Sequence, residues 1–194
     1  MVDGYAAHAQ EFIATTIDLD MSEFHDEFLS YVPHRGLILD IGSGSGRDAK
    51  AFDALGYRVQ MLEPSGTLRQ HLATYVGQEA IGRTIQDFDP PRETYDGVWA
   101  NASLLHLPPE DLPLVFFKIF TMLRSQGIFY ASFKYGNLEI REKHGLQYLY
   151  MNEEYLDKLL PLGDLFECCR VWITDDNRTD RPGEQWLNCL LRRP

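Results

Sequence analysis

The sequence predicts an α/β fold, a mostly parallel sheet with helices on both faces, entered through a helical lead-in. Short apolar runs alternate with helix-periodic stretches from Leu37 onward, the order that produces parallel strands joined by crossover helices. A glycine-rich turn, Gly42-Ser43-Gly44-Ser45-Gly46, follows the first apolar run directly. Two strand-like runs close the chain with little room for a helix between them, which predicts a hairpin at one edge.

Taken in order, residues from Ala6 to Tyr31 favour helix, with Phe24, Phe28 and Val32 close to one face. Pro33-His34-Arg35-Gly36 breaks that pattern, and Leu37-Ile38-Leu39 begins a strand apolar enough to be buried on both faces. A helix over 48–56, a strand over 57–62 and a helix over 65–76, with Leu68, Leu72 and Val76 aligned, come next. Ile81 to Ile85 predicts a third strand and Gly97-Val98-Trp99-Ala100 a fourth. Between 111 and 124, Leu112, Val115, Phe116, Ile119, Phe120 and Leu123 keep helical spacing, and Gly127 is expected to end that helix. Residues 128–133 predict a fifth strand, 152–160 a helix, and 165–173 and 185–191 the closing strands. With no repeat or linker, one domain is expected over 1–194, a helical lead-in over 1–35 and a core over 36–194.

No apolar run approaches the roughly 20 residues that span a bilayer, and Met1-Val2-Asp3-Gly4-Tyr5 lacks the regions of a secretory signal. A cytoplasmic protein without membrane partners is expected. The net charge of -11, from 29 acidic and 18 basic residues, argues against a nucleic-acid partner; Arg192-Arg193 is too small a basic cluster to offset it. Cys168, Cys169 and Cys189 lack paired spacing and read as free thiols, and no His, Cys and carboxylate cluster has metal-ligand spacing. The oligomeric state stays open.

In open α/β sheets ligands bind beyond the carboxyl ends of the strands, where the glycine turn sits. Gly42, Gly44 and Gly46 allow a sharp bend and close approach of a ligand. A dinucleotide fingerprint would want Gly or Ala where this chain has Arg47. Asp40, just ahead of the turn, suits a cationic ligand group better than an anionic one.

The stretch from Leu37 to Gly46, a hydrophobic strand ending in Asp40 and then G-x-G-x-G, resembles the first motif of the class I S-adenosylmethionine-dependent methyltransferases. Further matches follow in order: Glu63, Asp87-Phe88, and Tyr95 to Asn101 leading into Leu104-Leu105-His106-Leu107. This resemblance, spanning nearly the whole chain, implies a Rossmann-like seven-stranded sheet of order 3-2-1-4-5-7-6 with the last strand antiparallel, and S-adenosylmethionine as cofactor. It implies cofactor contacts from Asp40, Gly42, Ser43, Gly44, Gly46, Arg47 and Asp48. Glu63 would accept hydrogen bonds from the ribose hydroxyls, beside Pro64 and Ser65. Asp87 would accept from the adenine amino group while Phe88 offers an apolar face, and Asn101, Ala102 and Ser103 would border the site. A solvated acid at Glu63 and an ordinary acidic turn before Asp89-Pro90-Pro91 are the competing readings. Tyr5-Ala6-Ala7-His8-Ala9 resembles the N-terminal segment that folds over the cofactor in small-molecule members, so 1–35 would cap the site; an exposed terminus is the alternative.

Methyl transfer from a sulfonium is an in-line displacement that a dry, aligned site accelerates without any universal catalytic residue. Candidates to face the acceptor are Asn101, Ser103 and His106, after the fourth strand, and Lys134 and Tyr135, after the fifth. His106 can serve as base for an alcohol, amine or thiol, or merely pack. Lys134 with Arg141 can hold an anionic acceptor, or both are solvated loop charges. Asp89-Pro90-Pro91-Arg92 resembles the D-P-P-Y motif of nucleobase methylation, but it precedes the fourth strand and Arg92 replaces the stacking aromatic. Ala131 to Gly136 and Glu184 to Asn188 look like a tellurite-resistance-like or type 11/12 subgroup, with Gln185 and Trp186 bordering the acceptor. The expected activity is methylation of a small acceptor at O, N, S or a chalcogen oxyanion. A non-catalytic cofactor-binding module remains open, and an NAD-dependent oxidoreductase is disfavoured by Arg47.

Overall fold

A computed structural model describes residues 2–143, 145–159, 165–178 and 181–194, excepting the side chains of 2–7 and 143. Helices α1 (Val2–Thr16) and α2 (Ser22–Leu29) lead into β1 (Leu37–Ile41), α3 (Arg47–Ala54), β2 (Arg58–Leu62), α4 (Gly66–Tyr75) and β3 (Tyr95–Ala100). After short single-turn helices at Leu104–His106 and Pro109–Asp111 come α5 (Leu112–Met122), β4 (Leu123–Tyr135), β5 (Glu139–Lys143) and β6 (Leu146–Met151). Helix α6 (Glu153–Leu159) and strands β7 (Glu167–Asp175) and β8 (Gln185–Arg192) follow.

Strand β1 pairs in parallel with β2 and β3, and β3 in parallel with β4. The far edge of β4 is shared: β8 runs antiparallel along Ile128–Lys134, and β6 pairs in parallel at Lys134 and Tyr135. Strand β7 lies outside β8, and β5 outside β6, both antiparallel. The order β2-β1-β3-β4-β8-β7, with the last strand in sequence antiparallel, matches the expected 2-1-4-5-7-6. The outer strand 3 is missing, however, and β6-β5 add to β4, giving eight strands among the described residues rather than seven.

Three expectations need correction. The stretch from Ile81 to Ile85 is not a strand but a single bridge between Ile81 and Leu62. The chain turns away there because Arg83 N–H donates back to Ile81 O at 3.0 Å, and a Cβ at Gly82 would meet the Arg69 guanidinium carbon at 2.8 Å. Helix α5 ends at Met122 rather than at Gly127: Leu123 is already extended (ψ 145°). The β5–β6 hairpin was not expected; it turns at Gly145 (φ +73°) and buries Leu146, Leu149 and Met151.

Adjacent strand residues point to opposite faces, and both faces are covered. Leu39, Val98 and Phe129 pack with Phe116 and Ile119 of α5, whereas Ile38, Trp99 and Tyr130 pack with Phe28 of α2 and Phe52 of α3. Trp99 centres the second layer, stacked on Tyr130 with centroids 3.9 Å apart and edge-on to Phe28 and Phe52. Among the described residues no helix is long and apolar enough to cross a membrane.

Candidate functional site

The carboxyl ends of β1 to β4, the helices α1 and α2, and the segment after β7 enclose a cavity of about 630 Å³, within the size range of small-molecule sites. One end is the turn after β1. Gly42 and Gly44 adopt φ of 71° and 54°, which side chains disfavour. A Cβ at Gly42 would stand 2.6 Å from Ser103 Cβ, and one at Gly44 3.0 Å from the Phe12 ring of α1. Both glycines line the cavity. Gly46 does not: a Cβ there would strike Leu72 of α4 at 2.7 Å, so it serves helix packing.

Glu63, just past the end of β2, is buried and lines the cavity. Its Oε2 accepts from Gly44 N–H at 3.0 Å and its Oε1 from Ser65 N–H at 2.8 Å. Burial pushes its pKa up, against the pull of those two N–H groups. Pro64 and Ser65 line the same edge, and the Ser65 hydroxyl caps α4.

Asp40 lies outside the cavity lining, buried beneath the turn, with Oδ2 lacking a hydrogen-bond partner. Burial, and then the charge of Asp48, push its pKa up to about 8. The folded chain therefore keeps a proton that the unfolded chain loses near its ordinary 3.8, so Asp40's contribution is complete below that value and fades as pH rises towards 8. Asp40→Asn should flatten the fall in stability between about pH 5 and 8. Thermal denaturation across that range checks this, and an unaltered slope would refute it.

Asp48, in the first turn of α3, gathers donors from four side chains. Its carboxylate accepts from His25 Nε2 of α2 at 2.9 Å, Arg47 Nε and Nη2 at 2.8 and 2.9 Å, Trp99 Nε1 at 2.9 Å and Asn101 Nδ2 at 3.3 Å. Burial alone would raise its pKa, but Arg47 and His25 outweigh it and hold the carboxyl well below the usual range. Asn101, Ala102 and Ser103 follow β3 along the wall. Asn101 Oδ1 accepts from Ser132 Oγ, which itself accepts from Ala102 N–H, each at 2.8 Å, while the buried Ser103 hydroxyl has no partner. Asp87 lines the rim, its carboxylate taking the Thr84 hydroxyl at 2.8 Å, whereas Phe88 is buried in the core away from the lining.

At the opposite end His106 is buried beside Tyr148. Its Nδ1 lies 2.7 Å from Gln147 O, and since a carbonyl only accepts, Nδ1 carries the proton and Nε2 is the basic atom of the neutral ring. Burial pulls its pKa down, favouring that neutral form. Lys134 is buried, donating to Asp176 Oδ2 at 3.1 Å and to Glu184, with its ammonium 4.0 Å over the Trp186 ring. Lys134 and Trp186 line the cavity; Tyr135 and Arg141 do not. Strand alternation turns Tyr135 away from the face that carries Ser132 and Lys134. Arg141 sits exposed on β5, paired with Glu139. Tyr5 falls in the first turns of α1, where side chains lie outside the described residues.

The cavity also gathers residues that the sequence did not single out for it: Phe12 and Thr16 of α1, Phe24 of α2, and Tyr148, Arg178 and Arg181. The charge-dense run at Asp176 to Glu184 was visible, but a solvated loop has the same composition. Among the described residues no group of His, Cys, Asp or Glu is arranged to hold a metal.

Residues 38–127 match the family described as a methyltransferase domain. No curated protein matches the chain in sequence. Among solved structures, the fold matches the 1,6-didemethyltoxoflavin-N1-methyltransferase of Burkholderia thailandensis, which holds 1,6-didemethyltoxoflavin and S-adenosylhomocysteine. That match has TM-score 0.76 and 21% identity over 100% of this chain and 90% of that one. A SAM-dependent methyltransferase from Methanosarcina mazei has TM-score 0.71 and 15% identity over 90% and 98% of the two chains. SpnF, a (4+2)-cyclase, has TM-score 0.73 and 14% identity over 99% and 95%.

Proposed function

We propose that the chain is a class I S-adenosylmethionine-dependent methyltransferase, on the strength of the methyltransferase-domain match and the shared fold, and that its acceptor is a small molecule seated at the His106 end of the cavity. The observation that carries this reading is one continuous cavity of about 630 Å³, partly open to solvent, joining the Glu63 turn to His106 beneath α1 and α2. The Burkholderia enzyme's 1,6-didemethyltoxoflavin is likewise a small molecule. Because α1 and α2 wall the same cavity as the strand ends, we read 1–194 as one domain with 1–35 as its cap. Three free cysteines suit a reducing, cytoplasmic setting.

The residues present fit the cofactor. The turn leaves space that a Cβ at Gly42 or Gly44 would fill, Glu63 offers a carboxylate at its edge, and Ser103 lines the same wall. Gly42–Gly44, Glu63–Ser65, Asp87 and Asn101–Ser103 would hold it, over Asp40 and the Arg47–Asp48 pair. When bound, S-adenosylmethionine supplies an electrophilic methyl on a cationic sulfur. Phe12 and Phe24 exclude water from above, and His106, neutral with its lone pair on Nε2, takes the proton that an O–H, N–H or S–H acceptor must lose.

Small-molecule pools assayed for S-adenosylhomocysteine formation test the reading. Turnover is expected in at least one pool, and His106→Gln should lower kcat about a hundredfold with cofactor affinity retained. SpnF shows that this fold also serves a cyclase, so binding of the cofactor without turnover in any pool would favour a non-methylating use of the cavity. No binding of S-adenosylmethionine by calorimetry would end the reading.

A further inference from the structure

We propose that the acceptor is an organic acid whose carboxylate is held by Arg181 and Tyr148 beside His106. This rests on the reading of the His106 end as the acceptor site. Around it, among the described residues, Lys134 and Arg178 hold their carboxylates at hydrogen-bond distance and Arg181 does not. Lys134 donates to Asp176 at 3.1 Å and to Glu184. Arg178 grips Asp176 through Nε at 2.9 Å and Nη2 at 2.7 Å, a bidentate fork. Trp186 Nε1 donates to the same carboxylate at 3.0 Å. Asp175, the other carboxylate lining this end, is exposed and accepts from Gln185 at 3.1 Å.

Lys134 and Arg178 thus take Asp176 and Glu184 at hydrogen-bond distance, and Arg181 is left with a long ion pair alone. Its Nη1 comes no nearer to Glu184 than 3.9 Å, and among the described residues its guanidinium makes no hydrogen bond. Tyr148 is in the same position: its ring meets His106 edge-on with centroids 4.9 Å apart, and its hydroxyl donates to no described residue. Both line the cavity, and the guanidinium charges of Arg181 and Arg178 reach the phenol, opposing the rise in its pKa that burial causes. A planar guanidinium beside a phenolic O–H matches the two oxygens of a carboxylate. Phe24, Leu105 and Leu146 supply apolar wall for the body of the acid. The assignment moves the anion-binding role from Arg141, which lies off the cavity, to a residue nearer the chain's end.

Calorimetry on protein saturated with S-adenosylhomocysteine, titrated with benzoate, benzamide, phenylphosphonate and benzylamine, tests this. Benzoate should bind about tenfold or more tighter than benzamide, and benzylamine should not bind. Arg181→Gln should bring benzoate down to the level of the amide, Arg181→Lys should recover part of the difference, and Tyr148→Phe should weaken benzoate about threefold, all with S-adenosylhomocysteine affinity retained. Benzoate without advantage over benzamide, whether both bind or neither does, overturns the proposal. So does an advantage that survives Arg181→Gln, or phenylphosphonate binding more tightly than benzoate. Failure of the wild type to bind S-adenosylhomocysteine would remove the acceptor-site reading itself.

Discussion

Gly44→Asp is expected to weaken S-adenosylmethionine binding at least about a hundredfold, roughly 2.7 kcal/mol, while the protein still folds. Three effects add at one atom. The backbone at Gly44 has φ of +54°, a region that costs an L side chain roughly 1 kcal/mol. The new Cβ would stand 3.0 and 3.2 Å from two Phe12 ring carbons, forcing α1 away from the turn. The new carboxylate would then share the turn with Glu63, whose Oε2 accepts the Gly44 N–H at 3.0 Å, and like charges this close repel. Gly44→Ala separates the terms, since it keeps the strain and the Phe12 contact without the charge; an intermediate loss of about tenfold is expected. Calorimetric titration with circular dichroism as the folding control measures both. Undiminished binding in the Asp variant would mean that the turn is not where the cofactor sits.

The parts of this molecule legible in its sequence are those where one local cause decides the outcome. Ile38 and Leu39, or Val98 and Trp99, read as buried strand because helices cover both faces. The glycine turn was legible because its three positive-φ positions each demand the same residue. What stayed hidden depends on distant partners. Ile81 to Ile85 has strand composition, yet the Arg69 side chain packed on Gly82 fixes a turn there. Asp40 looks like a ligand-facing acid in sequence, and only the fold shows that it lies beneath the turn, outside the lining. Lys134 and Arg141 seemed equivalent loop charges until strand direction sent one into the cavity and the other onto the β5 edge. The β5–β6 hairpin escaped because its strands are unevenly buried at the end of the sheet, which blurs the two-residue period.

Asp48→Ala should cost the fold about 3–5 kcal/mol, the penalty of stripping one partner from a buried ion pair, and lower Tm by roughly 6–20 °C at this chain length. The reason lies in the donors left behind. Arg47, His25 and Trp99 all direct N–H groups at this carboxylate. Arg47 would keep its charge in a largely buried site, because a guanidinium cannot shed its proton. Adding Arg47→Met to Asp48→Ala should therefore recover part of the loss, the signature of coupled partners in a double-mutant cycle. The pH dependence distinguishes this aspartate from Asp40. A carboxyl held below its ordinary 3.8 contributes stability that is complete above that value and is lost only as pH falls through the lower folded value. The gap between wild type and Asp48→Ala should then be widest near about pH 5, narrow towards about pH 8 because the Asp48 charge that helps raise the Asp40 pKa is gone in the variant, and close in strong acid. A loss below about 1 kcal/mol near about pH 5 would show that water rather than Asp48 satisfies Arg47 and His25.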